Sequence, residues 1–258
     1  MFSLHSKHFD AGQPPLPARA NQPTGGSTDR SIALPIALPI VCYVTDRKAF
    51  AGDKSLPALL DVIRVAADAG VDWVQIREKD LPARELFTLV REAVALASVR
   101  SGSIRVRSIK MIVNDRLDVA LAAGAAGVHL GHASAPAREV VSWCRAGNAP
   151  ADFLVGVSCH SLEGAQEAEN TGTSYTYFGP IYETPSKIPF GKPHGAEELA
   201  QVAKAVRIPV IAIGGVNESN AAQCIRAGAA GVAAIRMIQD AVNPTALKKA
   251  VDAIHGSR

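Results

Sequence analysis

The chain has 258 residues, 48% of them hydrophobic and 20% charged, with a formal net charge of +3; this is the composition of an ordinary globular protein, long enough for two average domains or one large α/β barrel. No Lys/Arg run is interleaved with aromatics, so nucleic acid is not the expected partner, and no apolar run approaches the roughly 18 residues that cross a bilayer. The four cysteines, Cys42, Cys144, Cys159 and Cys224, are scattered, with no C-x-x-C pair and no secretory signal, which points to a reduced, cytoplasmic setting and away from a disulfide framework.

Residues 1–36 are rich in Pro, Gly, Ser and Gln and lack periodicity ("AGQPPLPARANQPTGGSTDRS"), which predicts a disordered extension. The remainder, 37–258, reads as one catalytic domain. Eight β-branched runs are candidate strands: "VCYVT", "WVQIR", "MIVND", "GVHLG", "FLVGVS", "YTYFG", "PVIAIGG" and "GVAAI". Amphipathic, Ala-rich segments such as "LPALLDVIRVAADAG" and "ARELFTLVREAVALA" lie between them. Gly70, Gly124, Gly172 and Gly228 each fall a few residues before a strand, where a left-handed helix cap favours glycine, and they recur at about 50 residues, or two units of about 25. Strand–helix alternation implies a parallel sheet. Eight units in about 220 residues favour a closed (β/α)8 TIM barrel over an open doubly wound sheet.

Active sites in such barrels lie at the C-terminal ends of the strands. In the second strand, Gln75 alternates with Arg77 and Lys79, so all three are predicted on one side of the chain at the rim. The competing reading is a solvated charge run with Glu78 and Asp80. Asn114 and Asp115 end the third strand; Asp115 either caps the helix that begins near Leu117 or holds a magnesium ion. The sixth strand is followed by "GPIYETPSKIPFGKPHG", whose Thr184, Ser186 and Lys187 suit a phosphate on a loop shaped by Gly191 and Gly195. After the seventh strand, Gly214 and Gly215 let backbone N–H groups approach an anion, and Asn217 is placed to cap the next helix. The pattern favours an enzyme that joins or rearranges phosphorylated small molecules.

Over residues 40 to 242 the chain resembles the thiamine phosphate synthase family together with its relative, the thiazole tautomerase TenI. The resemblance runs through "YVTDR", "VQIREKD", "NDRLDVALAAGAAGVHLG", "GVSCHSLEGA", "FGPIYETPSK", "IPVIAIGGVNESNA" and "AGAAGVAAI" in family order. It implies a transferase of thiamine biosynthesis that couples 4-amino-2-methyl-5-hydroxymethylpyrimidine diphosphate with thiazole phosphate. Carried over by position, Gln75, Arg77, Lys79 and Asn114 bind the pyrimidine diphosphate and Asp115 is a Mg2+ ligand. Ser158 and Lys187 contact the leaving pyrophosphate, Thr184, Ser186, Gly214 and Gly215 seat the thiazole phosphate, and His160 matches a proton-shuttling position of the tautomerase. Arg77, Lys79, Lys187 and His160 are the expected catalytic residues.

Two positions depart from the family pattern. Where the synthase usually has "GQED", this chain has "GHAS", which puts Ser134 at the second magnesium ligand and leaves Asp118 or Glu78 as acids that could replace it. Arg236 stands where a small Ser is usual and could either clamp the phosphate or crowd its seat. His129 and His132 are read as packing or rim residues. The complete diphosphate side favours the synthase, with the tautomerase, an isomerase needing no metal, as the alternative and a non-catalytic phosphate-binding barrel as a third reading. The oligomeric state is left open, a homo-oligomer included.

Overall fold

The computed structural model describes residues 39–50, 55–98, 109–184, 192–241 and 243–257; the extension expected over 1–36, and Ser186, Lys187 and Gly191 of the loop after the sixth strand, lie outside them. Eight strands, β1 (Ile40–Val44), β2 (Trp73–Ile76), β3 (Lys110–Asn114), β4 (Gly127–Leu130), β5 (Leu154–Cys159), β6 (Tyr175–Phe178), β7 (Val210–Ile213) and β8 (Gly231–Ala234), follow one another around a closed barrel. Each pairs in parallel with the next, and β1 closes on β8 with Cys42 opposite Ala233. The eight runs of the sequence are these eight strands.

Helices fill the crossovers: α1 (Ser55–Ala69), α2 (Ala83–Ser98), α3 (Leu117–Ala123), α4 (Ala137–Trp143), α5 (Leu162–Thr171), α6 (Gly195–Ala205), α7 (Ala221–Arg226), α8 (Arg236–Gln239) and a final α9 (Pro244–His255). In α1 the buried residues are Leu59, Ile63, Ala66 and Ala69, the three-to-four spacing that puts one apolar stripe against the sheet. The four glycines of the repeat have φ between +73° and +96°, and Gly124 and Gly172 are the left-handed caps of α3 and α5. No helix of the described residues is long and apolar enough to cross a membrane.

Strand alternation splits the core in two. Val41, Tyr43, Val74, Ile76, Met111, Val113, Val128 and Phe178 belong to the apolar layer packed under the helices. Their neighbours Cys42, Trp73, Gln75, Ile112, His129, Tyr175 and Tyr177 are also buried but point into the barrel. Large rings on β2 and β6 are accommodated because small residues face them. A Cβ on Gly156 would lie 2.1 Å from Cζ of Tyr175. The Trp73 and Tyr175 rings meet edge to face at 4.8 Å, a favourable geometry for aromatic quadrupoles. This filled interior is a floor, above which the strand ends form the rim.

Candidate active site

The second and third strands bring Gln75 and Asn114 together as their register requires: Gln75 faces Ile112, two residues before Asn114, and its Nε2 donates to Asn114 Oδ1 at 3.1 Å. Gln75 Oε1 is buried and has no donor, and a buried acceptor left unmatched costs about 1–3 kcal/mol. Beyond the strand end, Arg77 and Lys79 are exposed while Glu78 is buried between them.

The acids of "REKD" are committed elsewhere. Glu78 accepts from Thr45 Oγ1 at 2.6 Å and from the backbone N–H of Arg47 at 3.2 Å, and Asp80 pairs with Arg47 at 2.9 Å and Lys48 at 3.3 Å. The loop after β1 thus takes both carboxylates of the segment. Thr45 also accepts from the backbone N–H of Arg77 at 2.9 Å, which fixes where the Arg77 side chain departs. Strand periodicity does not single out Thr45 or Arg47; the signal in the chain is a hydroxyl residue ending the first strand run and followed by Asp-Arg.

Asp115 is the one non-glycine residue with positive φ, +68°, among the described residues. Its backbone N–H donates to the carbonyl of His129 at 2.8 Å and its own carbonyl accepts from Leu117 at 3.1 Å. The expectation that its side chain caps the following helix is not met: Arg116 occupies the N-cap of α3, with no side-chain cap bond. The Asp115 carboxylate is exposed and has no hydrogen bond or ion pair among the described residues. A left-handed backbone at such a position costs of order 1 kcal/mol, and Asp tolerates it better than most residues.

Neither acid considered as a replacement ligand is available: Glu78 is held as above, and Asp118 receives two bonds from Arg116, at 2.8 and 2.5 Å. Ser134 Oγ accepts from the backbone N–H of Gly131 at 2.7 Å, closing the turn after β4. No three His, Cys, Asp or Glu side chains of the described residues cluster as a metal cage. Magnesium usually takes one or two carboxylates and completes its octahedron with substrate phosphate and water, so the donor set fits an ion held by one protein ligand, Asp115.

Across the barrel, Ser158 is exposed on β5 and its Oγ lies 2.8 Å from His129 Nε2. The His129 ring is buried and stacks on Tyr177 at 4.2 Å. Desolvation, with Arg77 a secondary cause, pushes its pKa down to about 3, so it is a neutral packing residue, as one of the two sequence readings had it. His160, at the start of the loop after β5, hydrogen bonds through Nδ1 to the Gly179 carbonyl, the structural bond of an orienting contact. His132 is exposed beside Gly131.

Gly214 and Gly215 have φ of +91° and +68°. A Cβ on Gly214 would meet Pro180 at 2.7 Å, and one on Gly215 would meet the Glu183 carbonyl at 2.6 Å. Both glycines are thus required where the loops after β6 and β7 run together, joined by the Ile181 and Tyr182 N–H groups donating to Ile213 and Gly214. Asn217 does not cap α7: its Oδ1 accepts from the Ser219 N–H and hydroxyl at 2.9 and 2.7 Å, and the helix begins after Asn220. Thr184 is half-buried on the loop after β6, and Arg236 is exposed at the first position of α8. Because Ile213 is level with Ala233, Arg236 stands on the rim close to the level of Gly214 and Gly215.

Arg77 and Lys79 after β2, Asp115 after β3 and Gly214 and Gly215 after β7 stand at the C-terminal rim of a (β/α)8 barrel, the end at which enzymes of this fold carry their sites. The chain belongs to the thiamine monophosphate synthase family, whose model matches residues 41–238. It is 39% identical over 243 residues to a thiamine-phosphate synthase of Roseiflexus sp. (strain RS-1), covering 94% of this chain and 93% of that protein. It is 38% identical to the thiamine-phosphate synthase of Roseiflexus castenholzii over 85% of this chain and 90% of the relative. Among solved structures it resembles a thiamine phosphate pyrophosphorylase from Pyrococcus furiosus, with a TM-score of 0.70 and 28% identity over 84% of this chain and 95% of that one.

Proposed function

We propose that the protein is a thiamine-phosphate synthase that joins 4-amino-2-methyl-5-hydroxymethylpyrimidine diphosphate to thiazole phosphate, giving thiamine phosphate and pyrophosphate. The benzylic C–O bond breaks with its electron pair leaving on the diphosphate, and the thiazole nitrogen lone pair forms the new C–N bond. The observation that carries this reading is the unmatched, buried Gln75 Oε1 below a cationic rim: an aminopyrimidine supplies an N–H donor to it, and the attached diphosphate meets Arg77 and Lys79. Asn114 Oδ1 accepts from Gln75 Nε2, which leaves the Gln75 oxygen as the acceptor for that N–H.

The diphosphate departs more readily where preorganised positive charge receives it. Arg77, Lys79, Lys187 and the Ser158 hydroxyl are the groups assigned to that task. Magnesium, held by Asp115 and the diphosphate itself, would add Lewis-acid charge there. Thr184, Ser186 and the Gly214 and Gly215 backbone would seat the thiazole phosphate, with Arg236 as a further cation at that end.

Ser134 favours a second reading, the metal-independent thiazole tautomerase with His160 moving the proton. One assay separates the two: product formation from both phosphorylated substrates and isomerisation of the thiazole, each with Mg2+ or with a chelator. Mg2+-dependent release of thiamine phosphate and pyrophosphate is expected. Undetectable coupling at saturating Mg2+, alongside chelator-resistant isomerisation lost in His160→Ala, would replace the synthase reading with the second one.

A further inference from the structure

The buried amide of Gln239 has no part in the synthase reading, yet it ends the short turn that begins with Arg236. That turn, α8, has four residues, and so short a helix has too few internal hydrogen bonds to hold its own place. Its position is set by what its side chains touch. Arg236 is exposed, whereas Met237, Ile238 and Gln239 after it are buried. Met237 and Ile238 join the apolar layer under the helices, and apolar burial is non-directional. The directional contacts are those of Gln239.

They all run to β1 and the residues just past its end. Gln239 Oε1 accepts from the Tyr43 hydroxyl at 2.7 Å and from the Asp46 N–H at 3.2 Å, and Nε2 donates to the Asp46 carbonyl at 2.7 Å. A backbone N–H only donates and a backbone carbonyl only accepts, so one orientation of the amide satisfies Asp46. A single side chain thus takes both main-chain groups of Asp46, the bonds that a neighbouring strand would otherwise supply. β8 pairs with β1 as far as Ala234 opposite Tyr43, and Gln239 continues the join where both strands have ended. On its other side the same stretch is fastened to the β2 rim. The Arg47 N–H donates to Glu78 and its guanidinium pairs with Asp80 at 2.9 Å, while Thr45 bonds both Glu78 and the Arg77 N–H. The segment after β1 is therefore the common reference for the chain that carries Arg77 and the turn that carries Arg236.

We propose that Gln239 is a positioning residue, holding α8 against the segment after β1 so that the Arg236 guanidinium meets the phosphate of the thiazole. This rests on the reading of Gly214, Gly215 and Arg236 as the thiazole phosphate end of the site. Thiazole phosphate is the ligand of the synthase and of the tautomerase alike, so the inference does not depend on which reaction follows.

The test titrates thiazole phosphate into the full chain by calorimetry and measures both KM values in the coupling assay. Gln239→Met, of similar length but without the amide, should weaken thiazole phosphate binding about tenfold, the worth of one misplaced hydrogen bond to a charged group. KM for thiazole phosphate should rise by the same factor and KM for the pyrimidine diphosphate should stay unchanged, because Glu78 and Thr45 still hold the segment after β1 to the β2 rim. A purely structural role would lower the melting temperature and leave both KM values alone. Arg236→Met should weaken binding at least as much, and in that background Gln239→Met should cost nothing further. Unchanged affinity in either single variant, or an undiminished loss in the double variant, would overturn the proposal. Should Gln239→Met fail to fold, Gln239→Glu takes its place: it keeps the accepting oxygen and sets a second acceptor against the Asp46 carbonyl, and the same loss and the same cancellation are expected. A parent protein that binds thiazole phosphate, with the expected losses in the variants, but forms no thiamine phosphate would fail the synthase reading alone.

Discussion

Asp115 holds a left-handed backbone, φ +68°, and its exposed carboxylate makes no hydrogen bond among the described residues. Asn tolerates the same left-handed backbone and has the same shape, so Asp115→Asn should leave the unfolding midpoint within about 2 °C while lowering coupling about 100-fold or more. Asp115→Ala should lose activity and about 1 kcal/mol of stability as well. By the family pattern Ser134→Asp restores the second metal carboxylate; titrating Mg2+ into the pyrophosphate complex by calorimetry should then show roughly tenfold tighter binding. Unchanged Mg2+ affinity in both Asp115→Asn and Ser134→Asp would remove the metal from this rim. Glu78 gives a pH signature. Burial raises its carboxyl above the ordinary value, against the bonds from Thr45 and Arg47. The folded state therefore binds this proton more tightly than the unfolded chain. Its contribution is fully present below the unfolded value of 4.5 and lost as pH rises through the folded one. Denaturation of the parent and of Glu78→Gln across that window should show the parent alone losing stability from this source as pH rises.

Among the elements, β5 and β6 constrain each other closely, because Gly156 is opposite Tyr175 in the register and a Cβ there would meet the ring. Gly156→Ala should destabilise by about 1–3 kcal/mol through overpacking, measurable as a lower urea midpoint. Tyr175→Leu in that background should restore part of it by removing the ring carbons. The eight strands, their order and their glycine caps were legible because each depends on local periodicity and on a backbone conformation that only glycine adopts freely. Gln75 and Asn114 were legible as groups near the C-terminal ends of neighbouring strands, but not their bond, since the register sets Gln75 against Ile112, two residues short of Asn114. Lys79 was a weaker inference: β2 ends at Ile76, so side-chain alternation no longer governs a residue three positions on. The His129–Ser158 and Glu78–Thr45 bonds were not legible, because they join residues 29 and 33 positions apart through a register that spacing alone does not set. For the same reason Asp115 could be read as a helix cap until the actual N-cap, Arg116, was located.

For the molecule as a whole, the strands of the described residues close the barrel on themselves. Ile40–Val44 is bonded on one side to β2 and on the other to β8, and the Ile40 N–H already donates to the Ala230 carbonyl at 3.0 Å. At the opposite end of the chain, His255 of α9 meets buried Asp72 at 2.8 Å, and the same carboxylate oxygen accepts from the Val41 N–H at 2.8 Å. The last helix, the start of β1 and the turn before β2 are thus fastened together at the N-terminal face, away from the strand ends that carry the site. Residues 1–30, rich in Pro, Gly and Ser, have neither the apolar surface nor the periodicity to offset the entropy of ordering them. We propose that they form an extension that the catalytic barrel does not need. Deleting them should leave the melting temperature within about 2 °C of the parent's, since a 1 kcal/mol change moves a domain of this size by about 2–4 °C, and should leave the coupling rate unchanged. A thermal melt and a turnover assay on the shortened chain check both. A substantial fall in either would mean that the extension docks on the barrel or completes a contact between subunits, and sedimentation of the two chains would tell those outcomes apart.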